Sequence, residues 1–403
     1  MVICEFFKSL DVEKSIFYVF CAAFFCMPIG TAFFTAFGVL SVILCFFSGL
    51  GFKKIPVFIK QSWFWPVLGM ILVHWLGFLY SPDPLGFGIQ YAQKTHYWLY
   101  CIAIASIKID DKRFVLLLKC FISALFFNSI LALFQFTGVI SGENGECTGF
   151  GVGYRTLSAY LIIGMLIISY KLKSCSSNKT KYFLYFLLVI FFLNLIILKG
   201  RTGYITFLAV SPFILHNIFK KINVPKIFLI YLLITGAMFM SPIFRERISL
   251  SLEQIKFHIN ADPDIAWGKG YTVNQDRFYM WHGAVLIFIE NPLIGAGTGG
   301  YPIAMKKIGK PEWPTLRHPH NDFLYMASSF GIIGVYLYFW IFGEALKNLW
   351  MYKDYLLGNF IFSGIIVILV SGITNAQILD AGMAFLFVIL IGLQKMLPKF
   401  DYV

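Results

Sequence analysis

The sequence predicts an all-α polytopic membrane protein. Of the 403 residues, 59% are hydrophobic and only 13% are charged, whereas a soluble domain carries about 25% charged residues. Apolar runs long enough to cross a bilayer as helices, about 17–25 residues each, recur along the whole chain. Backbone groups in lipid need hydrogen-bond partners within their own segment, so we expect these long uniform runs to be helices and not barrel strands.

About twelve transmembrane helices are expected from the length of the apolar runs. They lie near residues 15–32, 34–50, 63–80, 95–107, 114–138, 156–170, 182–198, 203–219, 227–243, 322–342, 357–373 and 379–396. The chain then forms a single integral membrane domain, with helices one to nine in 1–243, a long loop in 244–321 and the last three helices in 322–403.

The positive charge predicts the topology. The net charge is +13, and alternate connections between the apolar runs are rich in Lys and Arg, as in Lys171, Lys173, Lys179 and Lys181. Basic connections stay in the cytoplasm, so both termini are expected there and the loop 244–321 is expected outside. The most plausible location is a bacterial inner membrane with a periplasmic loop. No nucleic-acid partner is expected, because no soluble basic domain exists to hold one.

One segment of this loop is apolar but short for a span. Residues 278–289 are followed by Asn291 and Pro292, which end a helix. We therefore predict a short interfacial helix near 276–290. Its apolar face would consist of Phe278, Trp281, Val285 and Phe288.

Polar chemistry is concentrated where the loop meets the next apolar run, in Arg317-His318-Pro319-His320-Asn321-Asp322. A neutral imidazole near pH 7 can accept a proton from a hydroxyl, so His320 is the first catalytic candidate. Zinc is possible here, but a His-x-His pair alone lacks the remaining ligands, so this motif names no cofactor.

Arg201 and Arg277 are the candidates for binding phosphate, because a guanidinium matches phosphate oxygens in pairs. Arg201 begins an apolar run on the outer side, where snorkelling to headgroups is the alternative. Arg277 opens the interfacial helix, whose positive end favours anions, with a surface ion pair as the alternative. Weaker candidates of the same kind are Arg155, Arg245, Arg247 and Arg317.

Three other patterns are weaker indications of function. Asp262-Pro263-Asp264 resembles a metal-binding carboxylate pair, but such pairs are common by chance. Gly295, Gly297 and Gly300 match a dinucleotide-binding spacing without the required strand, so we read them as a flexible turn. Asp380, near a span end, is a functional candidate by default, with no partner to name.

The chain resembles the O-antigen ligases. His320-Asn321, then nine residues, then Gly331-Ile332-Ile333-Gly334 is similar to that family's histidine motif. Arg201 in Gly-Arg-Thr-Gly and Arg277 in Asp-Arg-Phe-Tyr-Met resemble its two arginines, and the layout of spans around one long loop is also similar. Polymerases of O-antigen and protein O-oligosaccharyltransferases share much of this pattern.

The resemblance implies a GT-C-like glycosyltransferase without metal or nucleotide. It implies transfer of an undecaprenyl-diphosphate-linked polysaccharide to a sugar hydroxyl of lipid A–core, with the site at the periplasmic face. Arg201 and Arg277 would then hold the diphosphate, and His320 would activate the acceptor. Asn321 is expected to bind substrate or to hold the imidazole or the loop. Arg317 and His318 are also expected to bind substrate, although they match no part of the family's pattern. A polymerase, a transferase acting on protein and a lipid-linked-sugar flippase are the rival interpretations.

Overall fold

The structure, a computed structural model, describes residues 11–142, 145–219, 224–260, 277–308, 317–352 and 355–397. Every regular element in these ranges is helical, and none of them contains a strand. The helices are α1 (Val12–Cys26), α2 (Thr31–Phe47), α3 (Leu50–Phe58), α4 (Phe64–Leu79), α5 (Ile89–Ala92), α6 (Tyr97–Ser106), α7 (Asp111–Phe136), α8 (Tyr154–Ser174), α9 (Asn178–Ile197), α10 (Arg201–Ile218), α11 (Val224–Met238), α12 (Pro242–Asn260), α13 (Arg277–Glu290), α14 (Tyr301–Ile308), α15 (Asp322–Tyr352), α16 (Leu356–Gly372) and α17 (Ala381–Leu393). Short turns, Pro84–Gly88 and Gln93–His96, flank α5.

Each predicted span coincides with a helix, but the helices differ in length. Four are long and apolar enough to cross a membrane: α7, α8, α9 and the part of α15 from Asp322 to Lys347. The number rises to six if α2 with α3, bent by 88°, and α11 with α12, bent by 94°, each form one broken span. In the described ranges an all-helical fold with four to six candidate membrane-spanning helices is therefore confirmed, and twelve spans remain a prediction.

Helix α8 forms the centre of the bundle. All its residues from 156 to 169 are buried, and it packs against α9, α10 and α16. A helix that is apolar on every side lies in the core. By contrast, α9 leaves Tyr182, Phe183 and Val189 exposed, as suits a helix that faces lipid.

The predicted helix near 276–290 is present as α13, Arg277–Glu290. Its buried face carries Met280, Ala284 and Ile287, and it packs against α15. Of the predicted apolar face, Val285 is exposed, whereas Phe278, Trp281 and Phe288 are half-buried. Its position at the membrane interface remains a prediction.

Helix α12 lies in a stretch that the sequence analysis assigned to the loop. Its start has a recognisable signal, since Pro242 follows Ser241, and proline is favoured in the first turn of a helix. Phe244, Ile248 and Leu252 recur at helical spacing. The loop 244–321 therefore contains more helix than predicted, and α12 contributes to the candidate site.

The predicted glycine turn follows α13, and its backbone is hydrogen-bonded to a neighbouring helix. Gly295 and Gly297 have φ of 65° and 83°, a conformation that costs glycine little. Ala296 N donates to Ser328 O at 2.9 Å, and Gly297 N donates to Ser329 O at 2.9 Å. The turn is thus hydrogen-bonded to the first half of α15.

Gly331 allows this contact by breaking α15. Its φ is 61° within an otherwise helical segment, and a Cβ there would lie 2.4 Å from the carbonyl carbon of Leu293. The kink leaves the Ile332 N–H to donate to Pro292 O at 2.8 Å. The first glycine of the histidine motif therefore has a packing role.

Candidate active site

A cavity of about 290 Å³ brings Arg201, Arg277 and His320 together. These are the three residues predicted to carry the chemistry, and 43 residues of sequence separate even the closest two from each other. Its full lining is Glu146, Tyr154, Arg155, Lys199, Arg201, Arg247, Arg277, Met280 and His320. The lining carries five cations and one carboxylate, so the cavity has a strong excess of positive charge.

Three helices have their N-terminal ends at the cavity. Helix α8 begins at Tyr154 after Gly153, and α10 begins at Arg201 after Gly200; neither has a side-chain cap. Helix α13 contributes Arg277, its first residue. The N-terminal end of a helix carries a partial positive charge and unpaired N–H groups. Three such ends therefore add to the field of the arginines, which suits an anion.

Helix α12 fixes the direction of the Arg201 side chain. Arg201 Nη1 donates to Gln254 Oε1 at 2.6 Å and to Ser251 Oγ at 3.3 Å. Ser251 in turn donates to the carbonyl of Arg247, one turn earlier, at 2.8 Å. These two hydrogen bonds orient the guanidinium at the edge of the cavity.

Arg277 is held among other cations. Its Nη2 donates to Thr202 Oγ1 at 3.3 Å. Burial, together with the charges of Arg155 and Arg201, lowers the pKa of Arg277 to about 10. The residue stays protonated at pH 7, but like charges close together at a poorly solvated site repel one another and raise the free energy. An anion bound among these arginines would offset the repulsion.

Two arginines that the sequence ranked lower have unpaired donors here. The Nε atoms of Arg155 and Arg247 are buried and have no hydrogen-bond partner within the described part of the chain. Buried polar atoms are normally paired, and an exception needs an explanation such as an absent ligand. Both side chains line the cavity, so a bound anion would supply the missing acceptors.

His320 has an unusual backbone. Its φ of 51° is the only positive value at a non-glycine residue in the described ranges. Such conformations cost on the order of 1–3 kcal/mol and cluster at functional sites. Its ring lies 4.3 Å from that of His318, centroid to centroid, and the backbone N–H of His320 donates to His318 Nδ1 at 3.2 Å.

Asn375 determines which nitrogen of His320 carries the proton. His320 Nδ1 lies 3.1 Å from Asn375 Oδ1, and the other end of the amide, Nδ2, donates to Gln377 Oε1 at 3.5 Å. Because Oδ1 can only accept, Nδ1 carries hydrogen and Nε2 keeps its lone pair. Burial and the charges of Arg155 and Arg277 lower the pKa of His320 to about 4, against a smaller raising effect of Asn375. The imidazole is therefore neutral at pH 7.

A comparison with protein families matches the segment that carries these residues. Residues 186–339 match the family model of the O-antigen ligases. The matched segment contains Arg201, Arg277, His320 and both motif glycines, Gly331 and Gly334. The resemblance predicted from the sequence is confirmed over this segment. No curated protein matched the chain in a sequence comparison.

Asn321, the residue after His320, does not line the cavity and holds the backbone around it. Its Oδ1 accepts from Leu324 N at 2.9 Å, which caps α15, and its Nδ2 donates to Ile373 O at 2.8 Å. Asp322 accepts from Ile378 N at 3.1 Å. Residues 373–380 thus form a platform beneath His320. This platform could not be predicted from the sequence, because its residues carry no distinctive motif.

Arg317 and His318 also lie outside the lining of the cavity. Arg317 is exposed, and its carbonyl accepts from Tyr91 OH at 2.7 Å. Burial and the neighbouring His320 hold the pKa of His318 well below its usual range. The structure therefore brings three of the six predicted site residues together and places the other three around them.

The remaining candidates have structural roles or lie outside the described residues. Asp380 caps α17 by accepting from Gly382 N and Met383 N, and it accepts from Thr156 Oγ1 at 2.9 Å. Asp262 and Asp264 fall outside the described ranges. Within those ranges, no group of three or more His, Cys, Asp or Glu residues could hold a metal.

Proposed function

We propose that the chain is a membrane glycosyltransferase that moves an undecaprenyl-diphosphate-linked O-antigen polysaccharide onto a sugar hydroxyl of lipid A–core. One observation carries the proposal: a single cavity holds four arginines and a neutral histidine. The family match to O-antigen ligases over residues 186–339 supports the same reaction class. By the distribution of basic loops, the protein would lie in a bacterial inner membrane with this cavity at the periplasmic face.

The arginines would bind the diphosphate of the donor. Arg201 and Arg277 offer oriented guanidinium groups, and Arg155 and Arg247 offer unpaired N–H groups. As the bond between the anomeric carbon and the diphosphate oxygen breaks, the electron pair stays on that oxygen. Fixed cations in a poorly solvated cavity stabilise this developing charge without first having to reorganise.

His320 would act as the base for the acceptor. The hydroxyl oxygen of the acceptor sugar forms the new bond to the anomeric carbon, and its proton passes to Nε2 of His320. The hydrogen bond to Asn375 keeps the proton of the neutral imidazole on Nδ1, so Nε2 is ready to accept. General-base help of this kind contributes roughly 10²–10⁴-fold to a rate.

An O-antigen polymerase would use the same donor but a lipid-linked glycan as acceptor, and complementation separates the two. The chain is expressed in a bacterial strain that lacks its O-antigen ligase, and lipopolysaccharide is resolved on a gel. We expect long-chain ladders on lipid A–core with the wild type, none with His320→Ala, and normal ladders with His282→Ala, an exposed histidine on α13. Absent ladders with longer lipid-linked glycans would contradict the ligase proposal in favour of a polymerase.

A further inference from the structure

A second cavity lies at the opposite ends of the helices that build the candidate active site. It has a volume of about 330 Å³ and lies between α8, α10 and α16. Helices α8 and α10 start at the arginine cavity and end here, whereas α16 starts here and ends beside the platform under His320. Along α8, Arg155 of the first cavity is separated from the lining of the second, Leu166 to Lys173, by roughly 17–27 Å at 1.5 Å per residue.

The lining of this second cavity is divided by polarity. Most polar side chains come from the helix ends, namely Tyr170, Lys173, His216, Asn217 and Asn359, and Ser363 lies one turn further into α16. The apolar side chains come mostly from nearer the helix middles, namely Leu166, Val210, Phe213, Phe362 and Ile366. A site that is cationic at one end and apolar towards the middle of a membrane bundle matches an amphiphile with an anionic headgroup. A soluble anion would not need the apolar part.

Two further observations favour a ligand. Asn359 Oδ1 is buried and has no hydrogen-bond partner in the described part of the chain, so a headgroup hydroxyl could donate to it. Helix α16 starts at Leu356 without a side-chain cap, which leaves a partial positive charge one turn from Asn359. Phe213 is 47% exposed, so an acyl chain could reach the cavity from the side.

We propose that this cavity binds an anionic glycerophospholipid, with phosphatidylglycerol as the commonest hydroxyl-bearing type. Lys173 and His216 would contact the phosphate, Asn359 a headgroup hydroxyl, and Phe213 with Phe362 an acyl chain. Basic pockets between helices on the cytoplasmic side bind such headgroups in other membrane proteins, and Lys171 and Lys173 place this end there by the charge rule. The proposal does not depend on the proposed reaction.

The test measures binding to the purified full chain in a neutral detergent. Thermal unfolding and native mass spectrometry are recorded with added phosphatidylglycerol or phosphatidylcholine. We expect phosphatidylglycerol to raise Tm more and to remain bound. Lys173→Gln removes one charge and should weaken its binding by about five-fold, and adding His216→Gln should weaken it further. Lys171→Gln, an exposed lysine two residues away that does not line the cavity, should leave binding unchanged.

Several results would overturn the proposal. Equal effects of the two lipids would remove the preference for an anionic headgroup. Unchanged binding in the double variant, or equal loss in Lys171→Gln, would place the lipid elsewhere on the surface. A third arm uses glycerophosphoglycerol, the headgroup without chains, and inorganic phosphate. If either stabilises the protein as much as the whole lipid, the site binds a soluble phosphate compound and not a lipid.

Discussion

The chemistry of His320 depends on its protonation state and on which nitrogen carries the proton. Burial and the nearby arginines keep the imidazole neutral, and Asn375 holds the hydrogen on Nδ1. A base of this kind works only while it is unprotonated. Because the pKa of His320 is lowered to about 4, kcat/KM should be flat around neutral pH and fall as the pH drops towards that value.

Replacing Asn375 with Asp tests this dependence. A carboxylate beside Nδ1 favours the imidazolium, so the pKa of His320 should rise and the acid limb of kcat/KM should move to higher pH. Asn375→Leu removes the hydrogen bond without adding charge, and should lower kcat about 3–10-fold. Glycosyl transfer by the purified protein is measured over a series of pH values. Wild-type profiles in both variants would show that Asn375 does not position the base.

The arginines of the cavity should not tolerate replacement by lysine. Arg201→Lys keeps the charge but cannot reproduce the paired geometry towards Gln254 and a phosphate. Losing a charge-assisted hydrogen bond costs about 1.5–3 kcal/mol, so kcat/KM should fall roughly 10–100-fold. Arg245→Lys is the matched control, because Arg245 is exposed on α12 and does not line the cavity. Similar activity in both variants would indicate that Arg201 only contacts the lipid headgroups and does not bind the phosphate.

At the scale of the helix, the kink of α15 brings two parts of the site region together. Gly331 interrupts the helix so that the glycine turn after α13 can bind its first half. This contact connects α13, which carries Arg277, to α15, which begins beside His320. The distance between the two catalytic candidates thus depends on a backbone conformation that other residues rarely adopt.

Gly331→Ala should therefore destabilise the protein. The positive φ and the contact with the Leu293 backbone together should cost about 2 kcal/mol or more, measured as a lower Tm in detergent and as reduced transfer. Gly343→Ala on the same helix is the control, since a Cβ there meets nothing within 4 Å. It should be neutral or stabilising by up to about 1 kcal/mol. Equal Tm changes in the two variants would contradict the packing role of Gly331.

At the scale of the whole molecule, the arginine cavity and the lysine-rich connections lie at opposite ends of the bundle. Cys147 precedes α8 near the cavity residue Glu146, and Cys175 follows the other end of the same helix. Both thiols are partly buried and free. If α8 crosses the membrane, the two cysteines lie on different sides of it.

Labelling in intact cells tests this topology. Variants that keep only Cys147 or only Cys175 are treated with a membrane-impermeant maleimide, after the outer membrane has been made permeable. We expect labelling of Cys147 at once, and of Cys175 only after the inner membrane is opened. The reverse order would place the arginine cavity in the cytoplasm and would contradict the assignment of basic loops. Early labelling of both would show that α8 does not separate the two compartments.

The helical class, the position of nearly every helix and the candidates Arg201, Arg277 and His320 could be predicted from the sequence alone. These predictions depend on local properties: apolar length, charge between runs and a short motif. That Arg155 and Arg247 share the cavity, that Asn375 orients His320 and that α12 holds Arg201 became visible only in the folded chain. Such relations join residues far apart in the chain. They depend on how helices pack around α8, and the periodicity of a single helix does not predict that packing.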